Sequence, residues 1–310
     1  MLLRCISKFA LLTSLVVAGT SSPVNIRASE DLVRTPAGLV PSSNVHAVPN
    51  GARVEQSPTA VQIIAANGTV IHSVPYTNLT AGAPLPKRPS NGTNTRRDLE
   101  SGWIAYTYWE NTGPSPISFF GSNWVVPAIP TSWDGQLLYW FNGLEPAVEN
   151  AILQPVLQYG FSPAGGGEFY ALASWWLIGN DVYHTDISLV SPGTYLQGQM
   201  TLTGTSTSGG VTTYDYQSTF VGYPGTTISA STTEELAWAF ETLEIYGTEF
   251  IPDLPYGNTV YSAIDIAFQN GQHPSSIPWG ASSDSVDNVN MTVLSTSSTN
   301  VTHATYYASI

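Results

Sequence analysis

Two stretches of the sequence carry polar side chains in positions where they could do chemistry. In the first, residues 151–159, Gln154 and Gln158 are set in an otherwise apolar run. If this run is a β-strand, both glutamines lie on one face with Ile152 and Val156, because alternate residues of a strand face opposite sides. Two amides on an otherwise apolar face need hydrogen-bond partners or a wet groove. The run therefore predicts either a half-solvated sheet face or an active-site cleft into which Gln154 points.

The second stretch, residues 235–246, contains carboxyl groups that could exchange a proton with a reacting molecule. Its alanines and glutamates suit a helix, whereas the strict alternation of its large apolar residues suits a strand. As a strand, Glu241 follows two alanines that leave an open groove, and Glu244 lies on the opposite face. Glu241 is then either a solvated strand carboxylate or a carboxyl group that lines a cleft.

The elements that must position these side chains are predicted to be β-strands. From residue 98 onward, short apolar runs alternate with turns rich in Gly, Pro, Ser and Thr. Many short strands at this spacing are typical of an all-β sandwich or barrel. The tight turn at Pro192-Gly193 indicates antiparallel neighbours. We therefore predict an all-β fold, a two-sheet antiparallel sandwich, for residues 98–310.

Residues 1–22 have the features of a secretory signal peptide. Arg4 and Lys8 form a basic end, an apolar run follows from Phe9 to Ala18, and small residues come next. That run is too short to span a bilayer. The only cysteine, Cys5, lies in this segment, so the mature chain has no disulfide. We expect a secreted, extracellular protein.

Residues 23–97 are interpreted as a poorly structured propeptide, with a disordered spacer as the alternative. They are rich in Pro, Ser, Ala and Asn and end in two dibasic pairs, Lys87-Arg88 and Arg96-Arg97, which processing proteases could cleave. A basic propeptide would be held on an acidic domain by charge at neutral pH and loosened in acid. Glycosylation sequons predict glycans at Asn67, Asn78, Asn91, Asn290 and Asn300.

Charge is divided unevenly along the chain. All nine Lys and Arg lie at or before Arg97, whereas nineteen of the 22 Asp and Glu lie after it, and the net charge is −13. A domain without basic side chains cannot neutralise phosphates or bind anionic lipid, so we expect no nucleic acid and no membrane as partner. Crowded carboxylates repel one another at neutral pH and acquire raised pKa values. This predicts a domain that is more stable in acid than at neutral pH.

Residues 98–310 resemble the eqolisins, the secreted fungal glutamic peptidases. Ala151-Ile-Leu-Gln154 is the most specific match, and Glu241-Thr-Leu-Glu244 corresponds to the family's Glu-Asp-Phe-Glu. Further matching features, in chain order, are Ser-Gly-Trp103, the strand from Phe119 to Pro127, Trp140 with a short Gly-containing loop, Trp175-Trp176, and the turn and strand from Pro192 to Met200.

The resemblance implies a concanavalin-like sandwich of two seven-stranded antiparallel sheets, and an endopeptidase that hydrolyses proteins and peptides in acid. By position, the catalytic glutamine is Gln154 and the catalytic glutamate is Glu241, and Trp103, Trp140 and Trp175 are candidate cleft residues. The glutamate would act first as a base toward water and then as an acid, while the glutamine amide stabilises the oxyanion. No cofactor or metal is implied. We expect a monomer whose other partner is its own propeptide.

The sequence departs from the family pattern in three ways. The family's loop aspartate aligns with Leu144, which is followed by Glu145, and a groove glutamate aligns with Trp175. The family's cysteines are absent. A tryptophan in place of an acid predicts either a preference for bulky apolar substrate side chains or a changed function.

The competing interpretation is a non-catalytic carbohydrate-binding sandwich protein of the lectin or glucanase type, because fold does not settle function. A retaining glycosidase needs two carboxyl groups about 5–5.5 Å apart. The only pair with strand spacing after residue 97 is Asp98 and Glu100, at the start of the domain. His184, His273 and His303 lack metal-ligand spacing, so we expect no metal site.

Overall fold

The structure, a computed structural model, describes residues 31–36, 38–75, 102–284 and 289–295, and the backbone of residues 299–306. The predicted signal peptide, both dibasic pairs, Asn78 and Asn91 lie outside these residues, and the predictions made on them stay predictions. The described residues contain 21 strands, two short 3₁₀ turns (Ser42–Asn44 and Ile251–Asp253) and no α-helix, which confirms the all-β prediction. Nowhere in the described part of the chain is there a helix long and apolar enough to cross a lipid bilayer.

The strands are numbered in chain order. They are β1 (Leu32–Thr35), β2 (Gly38–Pro41), β3 (Val45–Ala47), β4 (Arg53–Gln56), β5 (Ala60–Ile64), β6 (Val70–Pro75), β7 (Gly102–Glu110), β8 (Ile117–Val125), β9 (Leu137–Pro146), β10 (Ala151–Ser162), β11 (Gly165–Ile178), β12 (Asp181–His184), β13 (Ser188–Leu189), β14 (Tyr195–Ser208), β15 (Val211–Phe220), β16 (Tyr223–Thr232), β17 (Leu236–Tyr246), β18 (Asn258–Phe268), β19 (Gly280–Ser283), β20 (Asn290–Val293) and β21 (Thr299–Tyr306).

Two large sheets pack face to face, which confirms the predicted sandwich. The nine-stranded sheet has the order β19-β7-β17-β9-β10-β11-β12-β3, and β13 also pairs with β11. The ten-stranded sheet has the order β20-β21-β18-β8-β14-β15-β16-β4-β5-β6, while β1 and β2 form a separate hairpin. Pairing is antiparallel except between β3 and β12 and between β4 and β16, which are parallel.

Large apolar side chains that alternate along the strands fill the space between the two sheets. On β9, Leu138, Trp140 and Leu144 point into this core. Trp124 of the ten-stranded sheet enters from the other side, and its ring centroid is 5.4 Å from that of Tyr261. Burying one large apolar side chain contributes roughly 1.5–3 kcal/mol. This layer therefore holds the two sheets in a fixed relation.

The stretch that could have been a helix or a strand forms β17. It is paired with β7 on one side and with β9 on the other. These two ladders override the helix propensity of its alanines and glutamates. The register is irregular between Leu236 and Trp238 and between Leu243 and Glu244.

The N-terminal segment, defined here as residues 31–36 and 38–75, is not poorly structured, so that prediction is wrong for its described part. Strand β3 joins the nine-stranded sheet, and β4, β5 and β6 extend the ten-stranded sheet. Val54, Val61 and Ile63 are at most 3% exposed and belong to the core between the sheets. Their alternation along β4 and β5 gives those strands an apolar face. Without β4, β5 and β6 the ten-stranded sheet would have the seven strands that the resemblance implies.

Candidate active site

The nine-stranded sheet has two buried faces, and its side chains alternate between them. The inner face packs on the ten-stranded sheet, and the outer face points away from it. On β9, Leu138 and Trp140 belong to the inner core, whereas Leu137, Tyr139 and Phe141 belong to a second apolar cluster on the outer face. The predicted site residues are divided between these faces.

Gln154 lies on the outer face of β10, between Ile152 and Val156, and directly opposite Trp175 of β11. Its side chain is 0% exposed. Among the described residues, neither Nε2 nor Oε1 of this amide has a hydrogen-bond partner. Leaving a buried polar group unpaired costs about 1–3 kcal/mol. A buried polar group whose lack of hydrogen bonds lowers the stability of the fold points to a functional role.

Gln158 occupies the same face four residues further along β10, and its amide is fully paired. Its Nε2 donates to the carbonyl oxygen of Gly165 at 2.8 Å. Its Oε1 accepts a hydrogen bond from the hydroxyl of Ser162 at 3.0 Å. Gln158 therefore stabilises the turn between β10 and β11, and Gln154 is the amide that remains for chemistry.

Glu241 does not share a face with Gln154. It is 0% exposed and lies in register between Thr107 of β7 and Asn142 of β9. Asn142 donates from Nδ2 to the carbonyl oxygen of Gly198 in the ten-stranded sheet, at 3.2 Å. Glu241 is thus on the inner face, and the expectation that it lines one cleft with Gln154 is corrected.

Aromatic side chains set the orientation of β17. The rings of Trp238 and Phe240 are stacked on the outer face with centroids 6.0 Å apart. Phe240 also contacts Trp103, at 5.2 Å between centroids. Residues that alternate with these two, including Glu241, must face inward. Sequence reasoning separated Glu241 from Glu244 correctly, but alternation alone did not reveal which of them faces outward.

By strand register, Glu145 is a carboxyl-bearing neighbour of Gln154 on the outer face. Leu144 faces the inner core and pairs with Leu153, so Glu145 faces outward, diagonal to Gln154. Diagonal neighbours on adjacent antiparallel strands are about 7–8 Å apart. A glutamate and a glutamine at that separation can contact one small molecule between them. Glu145 is 4% exposed.

Glu244 is the second carboxyl group of the outer face and is 0% exposed. It accepts a hydrogen bond from the hydroxyl of Tyr246. Burial raises the pKa of Glu244 well above its ordinary value, and the hydrogen bond from Tyr246 lowers it by a smaller amount. The protonated, neutral form is therefore favoured. Sequence reasoning placed Glu244 on the face opposite Glu241 but gave it no role, and its position in phase with Trp238 and Phe240 was the signal that could have assigned it to the outer face.

The three predicted cleft tryptophans do not all reach the same face. Trp103 and Trp175 belong to the outer cluster with Gln154, and the ring centroid of Trp175 is 5.0 Å from that of His184. Trp140 belongs to the inner core, 5.9 Å from the ring of Tyr170. Trp140 is therefore a packing residue, because it alternates with the outer-face residues of β9.

The N-terminal segment packs on part of the outer face. Val40 is part of the outer cluster, and Val33 and Val45 pack against it. Strand β1 contacts β10, the strand that carries Gln154. The guanidinium group of Arg34 lies so close to Gly247 that a side chain there would collide with it. Gln154, Glu145 and Glu244 are all buried in the structure that contains this segment.

A polar cleft of about 530 Å³ lies on the ten-stranded sheet where β4 meets β16. Its charged groups are already paired, because Arg53 contacts Glu55 at 3.1 Å and Asp215 accepts a hydrogen bond from Ser231. This cleft therefore offers less for chemistry than the outer face. Within the described residues, no group of three or more His, Cys, Asp or Glu could hold a metal ion.

Three of the predicted glycosylation sites lie in described parts of the chain. Asn67 is exposed in the turn between β5 and β6. Asn290 begins β20, and Asn300 lies in β21. Glycosylation at all five sequons stays a prediction.

Comparison with solved structures finds a fold likeness. Two crystal structures of scytalido-glutamic peptidase, one with a peptide-based transition state analogue and one with a transition state analogue inhibitor, match at 14% and 15% identity, each with a TM-score of 0.45. SCP-B, an eqolisin in complex with the tripeptide Ala-Ile-His, matches at 14% identity and a TM-score of 0.43. Each match covers 67% of this chain and 99% of the other. No family model and no curated protein matches the sequence.

Proposed function

We propose that this protein is a secreted acid endopeptidase of the glutamic type, which hydrolyses peptide bonds by direct attack of an activated water molecule. Gln154 supplies the amide, and Glu145 takes the role that the sequence had assigned to Glu241. The observation that carries the proposal is the fully buried, unpartnered amide of Gln154.

The chemistry of this pair suits peptide hydrolysis. The reaction needs a base to activate water, an acid to protonate the departing nitrogen, and a donor for the oxyanion. Glu145 takes the proton of water and then returns it to the leaving amine. Gln154 donates an N–H to the oxyanion.

The same pair suits acid conditions. A carboxyl group can act first as a base and then as an acid in such a cycle, and glutamate side chains in water change between these two forms in acid, at about pH 4.3. The amide carries no charge, so it keeps working in acid, where a histidine base is blocked by protonation. Trp103 and Trp175 lie on the same face and favour bulky apolar substrate side chains.

The proposal divides the chain into a signal peptide (1–22), a propeptide (23–97) and the enzyme (98–310). The packing of the N-terminal segment on the outer face supports this division, because Gln154 is 0% exposed while that segment is in place. Cleavage after Arg88 or Arg97 would cut the covalent link between that segment and the sandwich. The precursor is then inactive until it is cleaved and the N-terminal segment dissociates from the outer face.

The test is digestion of a denatured protein by processed material between about pH 2 and pH 7. We expect cleavage confined to acid, and a loss of about 10²-fold or more in Gln154→Ala and in Glu145→Gln. Glu241→Gln is the matched control, because it alters a buried glutamate of the same sheet on the inner face and should retain most activity.

The other outcomes are equally informative. Activity lost in Glu241→Gln and retained in Glu145→Gln would reject Glu145 and restore the pair that the sequence predicted. A folded, processed protein that cleaves nothing at any pH would reject the peptidase. A glycan-binding screen would then test the carbohydrate-binding interpretation.

A further inference from the structure

Two histidines of the N-terminal segment meet where it joins the sandwich. His46 lies on β3, the last strand of the nine-stranded sheet, and His72 lies on β6, the last strand of the ten-stranded sheet. Their ring centroids are 4.3 Å apart, with an interplanar angle of 38°. One segment thus docks on both sheets, through β3 on β12 and through β4 on β16, and its two outermost strands, β3 and β6, touch through a pair of imidazoles.

Titratable groups of β12 surround this pair. Oδ1 of Asp181 is 3.1 Å from Nε2 of His46. The ring centroid of Tyr183 is 5.0 Å from that of His46. His184, the residue after Tyr183, contacts the ring of Trp175 and donates a hydrogen bond from Nδ1 to the carbonyl oxygen of Thr185, 2.9 Å away. A single carboxylate, that of Asp181, therefore contacts the histidine pair among the described residues.

We propose that His46, His72 and Asp181 form an acid-operated latch, which holds the N-terminal segment on the sandwich at neutral pH and releases it when both imidazoles are protonated. One positive charge on the pair is balanced by Asp181. A second positive charge on a ring 4.3 Å away has no such partner and repels the first. The repulsion acts between β3 and β6, the outermost strands of the two sheets, so it weakens the contact by which the part of the segment docked through β3 and the part docked through β4 hold each other in place.

The direction of the pH dependence follows from His72. His72 is exposed on β6, so solvent partly screens the charges that act on it. Its pKa is lowered below the ordinary value of 6.5, first by partial desolvation and then by the neighbouring His46, and Asp181 partly opposes both. Burial also lowers the pKa of His184. A histidine whose pKa is lower in the docked state than in the released state binds fewer protons when the segment is docked. Docking is therefore intact above about pH 6.5 and weakens as the pH falls below that value.

The test is hydrogen–deuterium exchange on the full-length protein at about pH 7.5 and pH 5, corrected for intrinsic exchange rates. A Gln154→Ala background removes self-cleavage, so the outcome does not depend on the proposed peptidase activity. We expect exchange in β3 and in β4 to β6 to be faster at pH 5 than at pH 7.5, with exchange in β9 and β10 unchanged.

Three variants make the test specific. His72→Phe keeps an aromatic ring but cannot take a proton, and it should abolish the acid loosening. Asp181→Asn removes the balancing charge and should move the loosening to higher pH. His273→Phe is the matched control, because Nδ1 of His273 is 2.9 Å from Oδ1 of Asp265 but no histidine ring contact is formed there; loosening should persist.

The inference is overturned if the wild type shows no local loosening at pH 5. It is equally overturned if the acid loosening is unchanged in His72→Phe, or if the pH midpoint of the loosening is the same in Asp181→Asn as in the wild type. Protection of β4 to β6 at pH 7.5 reports whether each variant is docked before acid is applied. His72→Gln replaces His72→Phe if the phenylalanine prevents docking.

Discussion

Tyr246 donates a hydrogen bond to the carboxyl group of Glu244, two residues earlier on the same face of β17, and the two side chains are 7% and 0% exposed. Because burial raises the pKa of Glu244, the folded state binds its proton more tightly than the unfolded chain does. The stabilisation is complete below the unfolded value of about 4.3 and is lost as the pH rises through the folded value. This carboxyl group therefore favours the fold in acid, in the direction predicted from the crowded acidic residues of the sequence.

Glu244→Gln should remove this pH dependence. Glutamine resembles the protonated glutamate, so we expect the melting temperature to rise at about pH 7.5 and to change little at pH 4. For a domain of this size each kcal/mol corresponds to roughly 2–4 °C. Thermal melts of both proteins across this range measure the effect. Glu249→Gln alters an exposed carboxylate and serves as the control; a lower melting temperature of Glu244→Gln at neutral pH would contradict the account.

Gln154 and Gln158 offer a matched pair for stability. Gln154→Leu removes an unpartnered buried amide and should stabilise the protein by about 1–3 kcal/mol. Gln158→Leu leaves the carbonyl oxygen of Gly165 without its donor and should destabilise it by a similar amount. Denaturant unfolding at one pH compares the two variants. A destabilised Gln154→Leu would mean that the amide serves folding after all.

Trypsin can report on docking of the N-terminal segment, because no Lys or Arg follows Arg97. Arg53 lies in β4, which is paired with β16 and β5, so we expect the bond after Arg53 to resist cleavage. Val54→Ala removes a fully buried side chain and should speed that cleavage about tenfold for each 1.4 kcal/mol of docking free energy lost. Mass spectrometry of timed digests identifies the cut.

Val70 provides the control for the trypsin experiment. It is 46% exposed on β6, so Val70→Ala should leave cleavage after Arg53 unchanged. Rapid cleavage after Arg53 in the wild type would contradict the docked arrangement of β4.

Local patterns in the sequence predicted the strands and the relative faces of side chains within one strand. Alternation placed Gln154 and Gln158 together and separated Glu241 from Glu244, as the structure has them. Which face of β17 points outward depends on aromatic contacts with β7 and on irregular pairing with both neighbours. Those are long-range relations that no local pattern contains. For the same reason Trp140 looked like a cleft residue although it packs between the sheets.

The N-terminal segment was misjudged for a different physical reason. Its composition is rich in Pro, Ser and Asn, which is typical of disorder. Val54 in β4 and Val61 and Ile63 in β5 form a small apolar face on two short strands. That face is buried only when the strands join the ten-stranded sheet. The average composition of the segment does not reveal so small an apolar face.

The two parallel pairings have a consequence for the domain after processing. Strands β12 and β16 each lie between one strand of the domain and one strand of the N-terminal segment. Departure of that segment would make β12 and β16 the sheet edges in place of β3 and β6, and the ten residues of β16 form a longer edge than the six of β6. The backbone N–H and C=O groups of that longer edge can add an extended chain. Release of the segment would thus enlarge the edge on which a foreign strand or a second copy of the domain can pair, and slow self-association would accompany it.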